Sequence, residues 1–134
     1  MITIKTEKEI QTMHEGGKIL AKIREELVDK VKPGVTTSDL EELFQKRLKE
    51  NGVKPAFLNY RGYPAGLCTS LNDEVVHCPP SGRELKEGDI LSIDMGLIYK
   101  GWNLDMAVTV GVGKISSETQ RLIEVTKKSL DIPD

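Results

Sequence analysis

Two aspartates, Asp94 and Asp105, lie eleven positions apart in the stretch LSIDMGLIYKGWNLDM, inside segments otherwise patterned as buried strands. In the first segment, Leu91, Ile93, Met95 and Leu97 alternate with Ser92, Asp94 and Gly96. In the second, Trp102, Leu104, Met106, Val108 and Val110 alternate with Asn103, Asp105, Ala107 and Thr109. A period of two puts each aspartate on the small, polar face of its strand. A two-residue hairpin turn, centred on Tyr99-Lys100 or on Lys100-Gly101, puts both on the same face of the sheet. The first turn sets them directly opposite, with β-carbons about 5 Å apart, and the second sets them diagonally, at roughly 7 Å. Either separation suits ligands shared by metal ions about 3.5 to 4 Å apart. Two carboxylates this close, partly desolvated, demand either a proton or a cation between them. On spacing alone, a solvated sheet face that merely tolerates both aspartates accounts for the pattern equally well.

The elements that must position this pair follow from local signals. Thr6 and Glu9 fit a capping box, and Ile10, Met13, Leu20, Ile23, Leu27 and Val31 recur at helical spacing until Lys32-Pro33-Gly34. A second helix is expected to begin near Ser38, with Glu41 in the reciprocal position, to bury Leu40, Leu43, Phe44 and Leu48, and to end at Asn51-Gly52. From Val53 to Val112 the pattern is strand and loop, broken by glycines and prolines. Ser117 and Gln120 are expected to open a third helix through Leu122, Ile123 and Leu130, before the LDIPD end. Helix, helix, strands, helix predicts an α+β fold with helices covering one face of an antiparallel sheet.

The composition limits the function classes. The 134 residues suit one domain, with 38% hydrophobic and 30% charged residues and a formal net charge of -2. Lys and Arg are interspersed with Asp and Glu, as in KTEKE and QKRLKE, so no nucleic-acid partner is expected. The opening MITIKTEKEI lacks the apolar core of a signal peptide, and no apolar stretch nears the roughly 20 residues that span a bilayer. No membrane partner and a cytoplasmic location are expected. Cys68 and Cys78, without a secretory context, are expected as free thiols.

Three longer motifs carry a family resemblance: NYRGYPAGLCTSLNDEVVHCPP at residues 59–80, LKEGDILSIDMG at 85–96 and GWNLDMAVTVGVG at 101–113. Together, and in this order, they resemble the methionine aminopeptidases, enzymes of the pita-bread fold that remove N-terminal methionine from proteins and peptides. The resemblance implies half of that fold, a curved antiparallel sheet covered on one face by helices. It also implies two divalent metal ions, drawn from Co, Mn, Fe and Zn, with Asp94 a ligand to one and Asp105 bridging both. It makes His77 a catalytic residue that positions substrate and stabilises the transition state. Tyr60, Tyr63 and Cys68 would line the pocket for the methionine side chain. His14 matches nothing catalytic and is expected at the surface.

The chain departs from the family pattern in two respects. The family's remaining ligands, a histidine and two glutamates with one serving as general base, belong to a second half that has no counterpart here. Residues 1–134 are therefore expected to form a single truncated aminopeptidase-like domain, the N-terminal half only, inactive as a monomer unless a homodimer, another chain or the other half of a longer protein completes the site. The alternative is a non-catalytic half-domain with a peptide-binding or structural role. The second departure is HCPP, where Cys78 replaces a glycine and is expected to add a side chain near the pocket.

Overall fold

A computed structural model describes residues 3–130; the LDIPD segment past Leu130 lies outside the described residues. Helix α1 spans Glu7–Lys30 behind the capping box, in which Thr6 accepts from the Glu9 N–H and Glu9 accepts from the Thr6 N–H. Its stripe is buried through Leu20, Ile23 and Leu27, whereas Ile10 is half exposed. Helix α2 spans Thr37–Glu50. Its capping box is Thr36 with Asp39, two residues ahead of the expected Ser38 and Glu41. Both pairs have the right spacing, but Glu41 is engaged elsewhere, as described below.

The strands are β1 (Lys54–Pro55), β2 (Leu67–Leu71), β3 (Ile90–Tyr99) and β4 (Trp102–Gly111), all antiparallel around β3. β4 pairs with one edge of β3, and β1 and β2 share the other. Leu91, Ile93, Met95 and Leu97 point into a core shared with α1 and with Leu40, Phe44 and Leu48 of α2. Each such fully buried side chain contributes about 1.5 to 3 kcal/mol of transfer free energy. The helices thus cover the apolar face that the alternation predicted, and leave the Asp94 face to other groups. α1 approaches the hairpin closely at Gly16, where a β-carbon would lie 2.8 Å from Tyr99 Cβ.

Helix α3 spans Ser117–Leu130. The side chain of Ser116, not Ser117, accepts from the Thr119 N–H at its start. None of its residues is buried, and Leu122, Val125 and Leu130 remain 60%, 55% and 86% exposed. Among the described residues, no helix is long and apolar enough to cross a membrane.

Candidate metal and peptide-binding site

The hairpin turn decides how the aspartates meet. Tyr99 pairs with Trp102, so Lys100 and Gly101 form the two-residue turn, with φ of 48° and 87°. Positive φ at both central residues matches the right-handed twist of the strands, and glycine adopts it without steric cost. The resulting register pairs Asp94 with Ala107 and Gly96 with Asp105. The aspartates are therefore diagonal neighbours on one face. On the other side of β3, Cys68 of β2 is the direct partner of Asp94. Three adjacent strands thus present Cys68, Asp94 and Asp105 together.

These groups border a cavity of about 650 Å³ that Tyr60, Tyr63 and His77 also line. That volume lies within the usual range for small-molecule sites. All six residues singled out from the sequence are brought to one place. Phe57, Arg61 and Pro64 line it as well and had no sequence signal beyond their nearness to NYRGYP. The small-residue face is less open than its composition suggests. A β-carbon on Gly96 would lie 2.7 Å from the Phe57 ring and 3.0 Å from Ala56 Cβ, so Phe57 fills that space and forms a wall.

Burial pushes the Asp94 carboxyl above its usual pKa, and the Asp105 carboxylate pushes it further; His77 acts in the opposite sense. Asp94 Oδ1 is buried without a hydrogen-bond partner. A buried carboxylate oxygen left unsatisfied beside a second carboxylate fits a hard cation, which would satisfy one and neutralise the other. Among the described residues, no group of three or more His, Cys, Asp or Glu side chains converges as a ligand set.

The side-chain wall has different chemistry. Tyr63 donates from its hydroxyl to the Leu67 carbonyl at 2.8 Å, and burial, then the Cys68 sulfur beside it, push its pKa well up. Burial likewise raises the Cys68 thiol, while Tyr63 opposes that shift. Both groups stay protonated near neutral pH, making a neutral, polarisable surface. Tyr60 is 65% exposed at the rim, with the Arg61 guanidinium 5.5 Å from its ring centre.

His77 sits in an exposed loop at φ 55°, directly after Val76 at φ 33°. Positive φ is costly for a β-branched residue and persists only where surrounding contacts impose it. Here the Thr69 N–H donates to the Cys78 carbonyl at 2.7 Å, and the Arg83 guanidinium binds both oxygens of Glu74. Glu74 also accepts from the Leu71 N–H at 2.8 Å, tying the loop to the end of β2. Cys78 itself is not among the residues with positive φ, so no glycine is required there. Its thiol faces the Val76 carbonyl at 3.7 Å and is not among the groups lining the cavity. The added side chain thus lies against the loop and does not line the cavity, yet it is near enough to the pocket to act on Tyr63 and Cys68. Both cysteines are free thiols. His14 is exposed on α1, as expected.

Residues 11–132 match the model of metallopeptidase family M24. The chain is 43% identical to a methionine aminopeptidase of Clostridium perfringens, over 96% of this chain and 52% of that protein. It is 42% identical to methionine aminopeptidase 1 of Bacillus subtilis, over 97% of this chain and 52% of that protein. The crystal structure of methionine aminopeptidase from Thermotoga maritima superposes with a TM-score of 0.94 at 42% identity, covering 98% of this chain and 53% of that one. The fold matches the pita-bread architecture of these neighbours. The chain spans about half the length of the relatives it matches.

Proposed function

Because this chain belongs to metallopeptidase family M24, we propose that Asp94 and Asp105 form one side of a divalent metal site and that the adjoining cavity receives the N-terminal methionine of a peptide. The observation that carries this reading is the unpartnered, buried Asp94 Oδ1 beside Asp105 at a cavity of suitable volume. Bound divalent ions, two of them and drawn from Mn, Fe, Co and Zn, would supply Lewis acidity for hydrolysis of the first peptide bond. The chain's own residues bind and orient the substrate. Phe57, Tyr63 and Cys68 offer an apolar and polarisable wall to the thioether. Tyr60 would cover it from the rim, and His77, which lines the cavity, would donate a hydrogen bond to the peptide carbonyl.

Two carboxylates are too few for a tight divalent site, which takes four or more donors. We propose that residues 1–134 act as one aminopeptidase-like domain in the cytoplasm. The remaining donors would come from the half of the fold that residues 1–134 do not include, whether on the same polypeptide, on a second copy in a homodimer, or on another chain. A two-fold interface needs only one self-complementary surface. A second reading, a peptide-binding half-domain without hydrolysis, is favoured by the lack of any three-residue ligand cluster among the described residues.

Cleavage of a methionyl peptide with Mn²⁺ or Co²⁺, alongside light scattering on a sizing column, separates the two. Turnover that tracks the dimer fraction supports the completed site. Peptide binding by a monomer, without turnover, supports the binding module.

A further inference from the structure

Glu41 lies on α2, outside the cavity, yet its carboxylate is directed at the cavity's framework. Its Oε1 accepts from the Gly66 N–H at 2.8 Å and its Oε2 from the Leu67 N–H at 2.9 Å. Gln45 Nε2 donates to the same Oε1 at 2.7 Å. Two successive peptide N–H groups on the two oxygens of one carboxylate make a charge-assisted clamp, stronger than a neutral pair. The backbone can reach the helix because residue 66 is glycine. A β-carbon there would lie 2.5 Å from Gln45 Nε2 and 3.1 Å from both Glu41 Oε1 and Phe44 Cδ1.

The clamp leads directly into the side-chain wall. Leu67, whose N–H is held by Glu41, presents its carbonyl to the Tyr63 hydroxyl at 2.8 Å. The next residue, Cys68, is the cross-strand partner of Asp94. One carboxylate on a helix therefore fixes the two peptide units directly before the Leu67–Cys68 unit, whose carbonyl accepts from Tyr63 and which leads to Cys68.

We infer that Glu41 is a positioning residue that shapes the Tyr63 and Cys68 wall of the cavity and thereby sets its selectivity for an unbranched apolar side chain. The selectivity part rests on the proposed peptide-binding function; the positioning part does not.

The test uses the full chain carrying Cys78→Ser, which leaves Cys68 as the lone thiol. Glu41→Gln keeps one acceptor oxygen and turns an NH₂ group toward the other N–H; Glu41→Ala removes both acceptors. Native-state alkylation of Cys68 by iodoacetamide is expected to speed up by roughly tenfold in Glu41→Gln and by more in Glu41→Ala. Gln45→Ala, which removes a side-chain bond to Glu41 Oε1 but keeps both backbone N–H bonds, should speed alkylation less than Glu41→Gln does. Leu48→Ala, a core truncation away from the clamp, controls for general loosening. Equal rates in Leu48→Ala and Glu41→Gln at matched stability, or a parent rate in Glu41→Gln, overturn the positioning role. Titration with methioninamide and leucinamide, followed by amide NMR shifts, reads selectivity: the parent should prefer methioninamide and Glu41→Gln should lose that preference. A retained preference in Glu41→Gln overturns the selectivity role. A parent that binds neither amide overturns it together with the peptide-binding reading, while the alkylation rates still decide the positioning role.

Discussion

Asp105 faces Gly96 across the β3–β4 ladder and meets Asp94 only on the diagonal, with Ala107 directly opposite Asp94. The offset leaves Gly96 to be covered by Phe57 and leaves Asp94 Oδ1 buried without a donor. Wall and carboxylate pair thus follow from one register.

Gly96→Ala should disturb that wall. The added methyl would meet the Phe57 ring at 2.7 Å and Ala56 at 3.0 Å. Overpacking of this kind costs about 1 to 3 kcal/mol. A lower urea midpoint with an unchanged slope is the expected result; an unchanged midpoint would mean that Phe57 moves aside freely.

Adjacent glycines on α1 should respond in opposite directions to the same substitution. Ala in place of a mid-helix Gly gains about 1 kcal/mol of helix propensity. At Gly17 nothing lies within 4 Å of the new β-carbon, so Gly17→Ala should stabilise by about that amount. At Gly16 the β-carbon meets Tyr99 Cβ at 2.8 Å and Leu104 Cδ2 at 2.9 Å, and the overpacking outweighs the propensity. Thermal melts of the two variants should shift to opposite sides of the parent.

The loop that carries His77 should show an acid-dependent tether. The Arg83 guanidinium, then the Leu71 N–H, hold the Glu74 carboxyl at about 2, below its ordinary 4.5. A depressed carboxyl pKa stabilises the fold above the unfolded value, and that contribution fades as pH falls through the folded one. Glu74→Gln should lower the melting temperature at pH 7 by roughly 2 to 6 °C. The gap to the parent should close between about pH 4.5 and pH 2. A gap that stays constant over that range would assign Glu74 no charged role.

The elements around the site differed in how legible they were. The faces of β3 and β4 could be read because alternation is a local property, and both candidate turns put the aspartates on one face. The choice between turns depended on which residues would accept positive φ, and Lys100 gives no such signal by type. Strand β2 was hidden because all five of its residues are buried, which removes the alternation. Ser38 and Glu41 fit a capping box as well as Thr36 and Asp39 do; only the tertiary bonds of Glu41 to Gly66 and Leu67 separate them. Phe57 could not be placed against Gly96 from sequence, because that contact joins segments distant along the chain.

In the proposed site, Asp94 and Asp105 hold a divalent cation together. Calorimetric titration of the full chain with Mn²⁺, beside Asp94→Asn and Asp105→Asn, reads this directly. Weak but saturable uptake by the parent is predicted, since two carboxylates alone do not make a tight site. Each variant should bind more weakly by at least the roughly 10- to 100-fold that loss of a mere outer-shell partner costs. No uptake at saturating Mn²⁺, or equal affinity in all three proteins, would contradict it.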